Sequence, residues 1–135
     1  MGRLTEDAKR VLAQMKVTPV ATASKEGVPN VVPMTFVKLL DDSAVLVADN
    51  YMDKGAGNLE ENPQIAVCAW DLETKRAYQI KGIAEVQRSG PIFDDAVAWV
   101  KESKPDVDTR AAVILRVTNV FVCHSGERGK DVALQ

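Results

Sequence analysis

Apolar positions along the chain fall into two patterns, one of helical period and one that alternates. Ala8, Val11, Leu12 and Met15 recur at i, i+3, i+4 and i+7, and Thr5 ahead of Glu6 and Asp7 offers an N-cap and an acidic first turn. An N-terminal helix within residues 1–16 follows. A second helical face, Phe93, Val97 and Val100 with Ala96 and Trp99 beside it, runs through IFDDAVAWVKES until Lys104-Pro105 stops it. Between and after these, β-branched alternation predicts strands. Val17 to Ser24 is the first, and Lys25-Glu26-Gly27 is a hairpin turn with glycine where φ must be positive.

The second arm, Val28 to Leu40, is long for one strand and carries Pro29 and Pro33, each of which removes a ladder donor. Pro33 therefore lies at an edge or a bulge. Backbone from Val32 to Thr35 is then either free to face a ligand or bent only for packing. Ala44 to Asp49, Gln64 to Asp71, Arg76 to Arg88 (interrupted at Gly82) and Ala111 to about Cys123 complete the set, with a bulge or bend at Thr118-Asn119. Such hairpin-linked strands predict a mainly β (α+β) fold, a six-stranded antiparallel barrel with peripheral helices. At 135 residues the chain forms one domain, 1–135, ending in a polar tail at 125–135 that is expected to be mobile or partner-bound.

Composition narrows the function. With 46% hydrophobic and 27% charged residues the chain is of ordinary globular type, and a net charge of −2 provides no basic field for nucleic acid. Cys68 and Cys123 sit in apolar runs and read as core thiols. No CxxC pair occurs and no second histidine accompanies His124, so no metal site is expected. The N-terminus is polar, and no apolar run reaches the roughly 18 residues that span a bilayer, which favours a cytoplasmic protein without membrane partners.

The candidate chemistry gathers between Val45 and Ala69. Lys54 stands among glycines just before a short helical pattern that should end near Glu61, ahead of Pro63. A cation beside a helix start, with Gly55 and Gly57 permitting close backbone approach, is a recipe for holding phosphate. A solvated lysine in a flexible crossover explains the same residues. His124 has no evident carboxylate partner, and Glu60 and Glu61 read as a solvated helix surface. The chain contains no nucleophile elbow, Walker loop or GxGxxG.

The order VTPVATAS, KEGVPNVVPM, ADNYMDK and GNLEENPQIAV, followed by a late Lys-Gly within a strand, resembles the FMN-binding split-barrel family, which includes pyridoxamine 5'-phosphate oxidase-like proteins. Its most specific portion is K-x-x-x-N-[LI]-x-x-N-P, met by Lys54, Asn58, Leu59, Asn62 and Pro63. The resemblance implies a split β-barrel and a homodimer with FMN at the subunit interface. It implies Lys54 and Gly55 at the phosphate, Val32, Pro33, Met34 and Thr35 along the phosphate and ring side, and Asp49, Asn50, Tyr51 and Met52 along the ring edge. The function implied is that of an FMN-binding flavoprotein, an oxidoreductase or electron-transfer protein with an unidentified redox partner. A non-catalytic module for flavin, F420 or haem is the alternative, and haem would want an axial ligand such as His124. Two departures matter. Gly55 stands where many relatives have Ser or Thr, and the arginine and histidine set that binds substrate phosphate in true pyridoxamine 5'-phosphate oxidases has no evident counterpart.

Overall fold

The computed structural model describes residues 2–135. Thr5 caps α1 (Glu6–Ala13), its Oγ1 accepting from Ala8 N–H at 3.1 Å, and the helix buries Ala8, Val11 and Leu12 as the periodicity requires. Strands β1 (Thr18–Ala23) and β2 (Pro29–Met34) form the first hairpin, whose turn places Gly27 at a φ of 88°. β3 (Val37–Asp41) and β4 (Ala44–Asp49) form the next. Helix α2 (Asp53–Glu61) follows, then β5 (Gln64–Asp71), β6 (Arg76–Gln87), α3 (Pro91–Ser103) and β7 (Ala111–Val122).

All seven strands join one sheet in the order β2-β1-β5-β6-β7-β4-β3, every neighbour antiparallel, curled as a split barrel. The expected count of six is corrected to seven, because the arm from Val28 to Leu40 is two strands. The break falls at Thr35-Phe36, where the chain leaves one edge of the sheet (β2) and enters the other (β3). A single ladder cannot serve both edges. Pro33 pairs with Pro19 across β1–β2, and β2 is an edge strand, where a missing donor costs least.

The core follows from strand alternation. Val45 and Val47 of β4 point into the barrel with Val20, Val67, Ile80 and Leu115, while Ala44, Leu46 and Ala48 face α3 and its Ala96, Trp99 and Val100. Strand β4 is thus buried on both sides, which explains a run without polar residues between Ala44 and Ala48. The predicted irregularity at Gly82 and Thr118 is a bulge: Lys81 pairs with Asn119 and Gly82 with Val117, leaving Thr118 as the extra residue. A Cβ on Gly82 would lie 2.2 Å from the Arg116 carbonyl oxygen and 2.5 Å from Leu115 Cδ2. Only glycine fits.

Three expectations change. Helix α2 begins at Asp53, so Lys54 and Gly55 belong to its first turn rather than preceding it. Cys123 is exposed just past the end of β7, and Cys68 is half-buried on the outward face of β5. The tail is docked: Arg3 bridges to Leu134 and Phe121 to Asp131, and Val132 N–H donates to the Val120 carbonyl at 2.8 Å.

A charged cluster fastens α1 to the β5–β6 hairpin. The Asp7 carboxylate accepts from Arg10, Arg76 and the Tyr78 hydroxyl. Partial burial pushes the Asp7 carboxyl upward, but these three donors together outweigh it and hold its pKa at about 2. A carboxylate with a depressed folded pKa stabilises the fold above its unfolded value, and that contribution is lost as pH falls from about 4 to about 2. Asp7→Asn is therefore expected to flatten the acid limb of the stability curve between those values, measured by urea unfolding at stepped pH. Gly82→Ala is expected to lower unfolding free energy by about 1–3 kcal/mol through overpacking, measured by denaturant titration.

Candidate functional site

The segment that leaves β4 and enters α2 is fixed from beneath. Asp49 is buried, and its Oδ1 accepts from Met52 N–H at 2.9 Å and from Arg110 Nη2 at 3.1 Å. Arg110 also donates its backbone N–H to the Asp49 carbonyl at 2.7 Å and reaches Asp53 at 3.4 Å. Next to it, Thr109 Oγ1 donates to Asn50 Oδ1 at 2.8 Å. The residues just ahead of β7 therefore latch the turn that carries Tyr51 and Lys54. The Asp49 carboxylate raises the Arg110 pKa further, so this cation stays charged at every working pH.

Helix α2 is held against the first hairpin by the two asparagines of the sequence motif. Asn58 Nδ2 donates to Thr22 Oγ1 at 3.0 Å, and Asn62 Nδ2 to the Ser24 carbonyl at 3.1 Å. Leu59 goes into the core. Most of the motif is thus architecture, and Lys54 is what it presents. Gly55 serves packing, because a Cβ there would meet Met52 Cε at 3.1 Å. Met52, at the N-cap, offers no side-chain bond to the helix start, so first-turn N–H groups lack a capping acceptor.

Two cavities flank this segment along β2. The first, about 400 Å³, is lined by Ser24, Val28, Pro29, Asn30, Lys54, Gly57, Asn58 and Glu61. Lys54 makes no ion pair among the described residues. Asn30 Nδ2 is enclosed there without a hydrogen-bond partner. The second, about 170 Å³, is lined by Val32, Pro33, Met34, Thr35, Phe36, Ala48, Asn50 and Tyr51, at the seam where the chain crosses from β2 to β3. Tyr51 is 74% exposed at its rim.

Of the residues singled out by sequence, Lys54 lines one cavity and Val32, Pro33, Met34, Thr35, Asn50 and Tyr51 line the other. Asp49, Met52 and Gly55 line neither: the first braces the turn, the second is buried in the core and the third lets α2 pack. Sequence reasoning passed over Asn30 and Ser24 as site residues and read Glu61 as solvated helix surface. Asn30 lies in the quoted PNVVPM stretch, but only pairing across β1–β2 puts it beside α2. His124 is buried at the other end of the barrel, its Nδ1 accepting from Ala77 N–H at 3.0 Å. Among the described residues no three His, Cys, Asp or Glu side chains gather as a metal-ligand set. None of the helices described is long and apolar enough to cross a membrane.

These elements define the class as a small antiparallel split barrel, with an unpaired cation on the first turn of an uncapped helix beside a cleft along an edge strand. The chain belongs to the pyridoxamine 5'-phosphate oxidase family, whose model matches residues 4–124. An uncharacterized protein, MJ0282, from Methanocaldococcus jannaschii is 37% identical over 134 residues, covering 97% of this chain and 89% of that one. The crystal structure of HupZ from Group A Streptococcus is 27% identical with a TM-score of 0.82, covering 94% of this chain and 99% of that one. An FMN-binding protein from Syntrophomonas wolfei shares the fold, with 14% identity and a TM-score of 0.77 over 87% of this chain and 84% of that one.

Arg110→Ala leaves the Asp49 carboxylate buried without its cation. A loss of stability on the order of 1 kcal/mol is expected, modest because Arg110 is itself half-exposed. Arg110→Lys should restore part of it in thermal unfolding.

Proposed function

We propose that this protein binds FMN in the cleft along β2 and acts as a flavin-dependent oxidoreductase or electron-transfer protein. The observation that carries the reading is Lys54, an unpaired cation on the first turn of a helix whose N-terminus has no side-chain cap, facing a cavity of about 400 Å³. Unpaired N–H donors and a lysine charge together suit a phosphate monoester. The second cavity, at Val32 to Phe36, lies farther along the same strand and has apolar walls, which suits the ring. Family membership and an FMN-binding protein among the structures of the same fold support the choice.

The residues lining the first cavity fit the group in a particular way. Lys54 would hold the phosphate, while Asn58, already tied to Thr22, and Glu61 would face the polyol linking phosphate to ring. Bound there, FMN would supply the redox chemistry, and the protein would supply binding, orientation and shielding from water. The exposed apolar residues beside the cleft, Val28 and Val31, together with Tyr51, favour a homodimer in which a second copy covers the ring.

The alternatives draw less support from the same geometry. F420 carries a longer anionic tail, and the Lys54 cavity has a carboxylate, Glu61, in its wall rather than a second cation. Haem needs an axial ligand, and His124 has Nδ1 committed to Ala77 and Nε2 enclosed. Purified protein incubated with FMN is expected to retain flavin absorbance near one equivalent per protomer after desalting. Lys54→Ala is expected to weaken FMN at least about tenfold, the worth of one charge-assisted contact, with little change in the flavin reduction potential. A colourless protein that takes up no FMN, or a Lys54→Ala variant with unchanged affinity, contradicts the reading.

A further inference from the structure

The far end of β5 carries a third cavity, apart from the two along β2. Eight residues of β5, a rise of about 23 Å, lie between it and the Lys54 end of the cleft along β2. This cavity, about 490 Å³, is walled by the β5–β6 turn on one side and by the segment that follows β7 on the other. Its polar lining is dominated by cations, although the chain as a whole carries a net charge of −2.

Not all of that charge is committed. Asp71 is neutralised by Arg10 at 3.0 Å, and Arg76 is held by Asp7 at 2.9 Å. Lys75 and Arg128 have no acidic partner within ion-pair distance among the described residues. Arg128 is nonetheless placed: its Nε donates to the Cys123 carbonyl at 3.3 Å and its Nη2 to Ser125 Oγ at 3.4 Å. Lys75 holds a φ of 60°, and it is the one residue other than glycine with positive φ among those described.

Two further features complete the enclosure. His124 lines the cavity and is nine-tenths buried, yet its Nε2 has no partner. Its Nδ1 lies 3.0 Å from Ala77 N and 3.2 Å from the Ala77 carbonyl oxygen, so the ring is held by that backbone and Nε2 is enclosed in the wall. Trp70 remains 39% exposed at the end of β5 and supplies a flat apolar wall. Two unpaired cations and an indole in one cavity fit a compact anion with a planar body.

We infer that the cavity between Trp70 and Arg128 is a second ligand site that takes a small planar carboxylate, its charge at Lys75 and Arg128 and its ring against Trp70. The site is independent of whatever Lys54 holds at the opposite end. Lys75 and Arg128 are exposed, so their replacement tests binding without disturbing the core.

Trp70 and Trp99 are the two tryptophans of the chain, and Trp99 is packed edge-on against Phe36. In a Trp99→Phe background Trp70 becomes the reporter, titrated with benzoate and with neutral benzamide in the full-length protein. A saturable change in emission is expected with benzoate, at least about tenfold weaker with benzamide and in Lys75→Ala/Arg128→Ala. Lys54→Ala is expected to leave the benzoate curve unchanged, so failure here and failure of FMN binding are read separately. No saturable response, equal affinity for benzoate and benzamide, or loss of the response in Lys54→Ala would overturn the inference.

Discussion

The buried carboxylate of Asp49 is the constraint on which the candidate site depends. It terminates β4, accepts the Met52 N–H that starts the turn, and takes the Arg110 guanidinium from the segment just ahead of the strand that pairs with β4. One side chain thereby relates three pieces of chain: the end of β4, the start of α2 and the entry to β7. Without it, Lys54 would sit on a segment with glycines at Gly55 and Gly57 and little intrinsic helix preference, since glycine costs about 1 kcal/mol in a helix interior. The helix forms because tertiary bonds from Asn58 and Asn62 and the buried Leu59 hold it against the first hairpin.

The consequence for function is a division of labour along a short stretch. Asp49, Met52, Gly55, Asn58, Leu59 and Asn62 build and hold the turn and helix, whereas Lys54 and Tyr51 are presented outward beside cavities. Strand β2, an edge strand weakened by Pro29 and Pro33, forms the other wall. An edge of this kind leaves backbone and side chains available to a ligand, and the crossing at Thr35-Phe36 closes the cleft at the end away from Lys54.

Much of this was legible in the chain. The i, i+3, i+4 spacing located α1 and α3, β-branched alternation located the strands, and Gly82 with Thr118 marked the bulge. What stayed hidden was non-local. The split of Val28 to Leu40 into two strands follows from where each pairs, β2 with β1 and β3 with β4, and no local signal distinguishes that from one long arm. The early start of α2 was masked by two glycines. The bracing of the turn by Asp49 and the bond that Asn50 receives stayed hidden because their partners, Arg110 and Thr109, lie about sixty positions away. The docked tail likewise rests on a pairing between Arg3 and Leu134, at opposite ends of the sequence.

The central claim is that Lys54 and the uncapped start of α2 recognise a phosphate. The most direct measurement compares the affinity of the unmodified protein for FMN with that for riboflavin, which has the same ring and polyol but no phosphate, by flavin fluorescence titration. The account predicts FMN tighter by about a hundredfold, as expected when two charge-assisted contacts are lost together. Equal affinities would contradict it, because the ring would then bind without help from the Lys54 cavity.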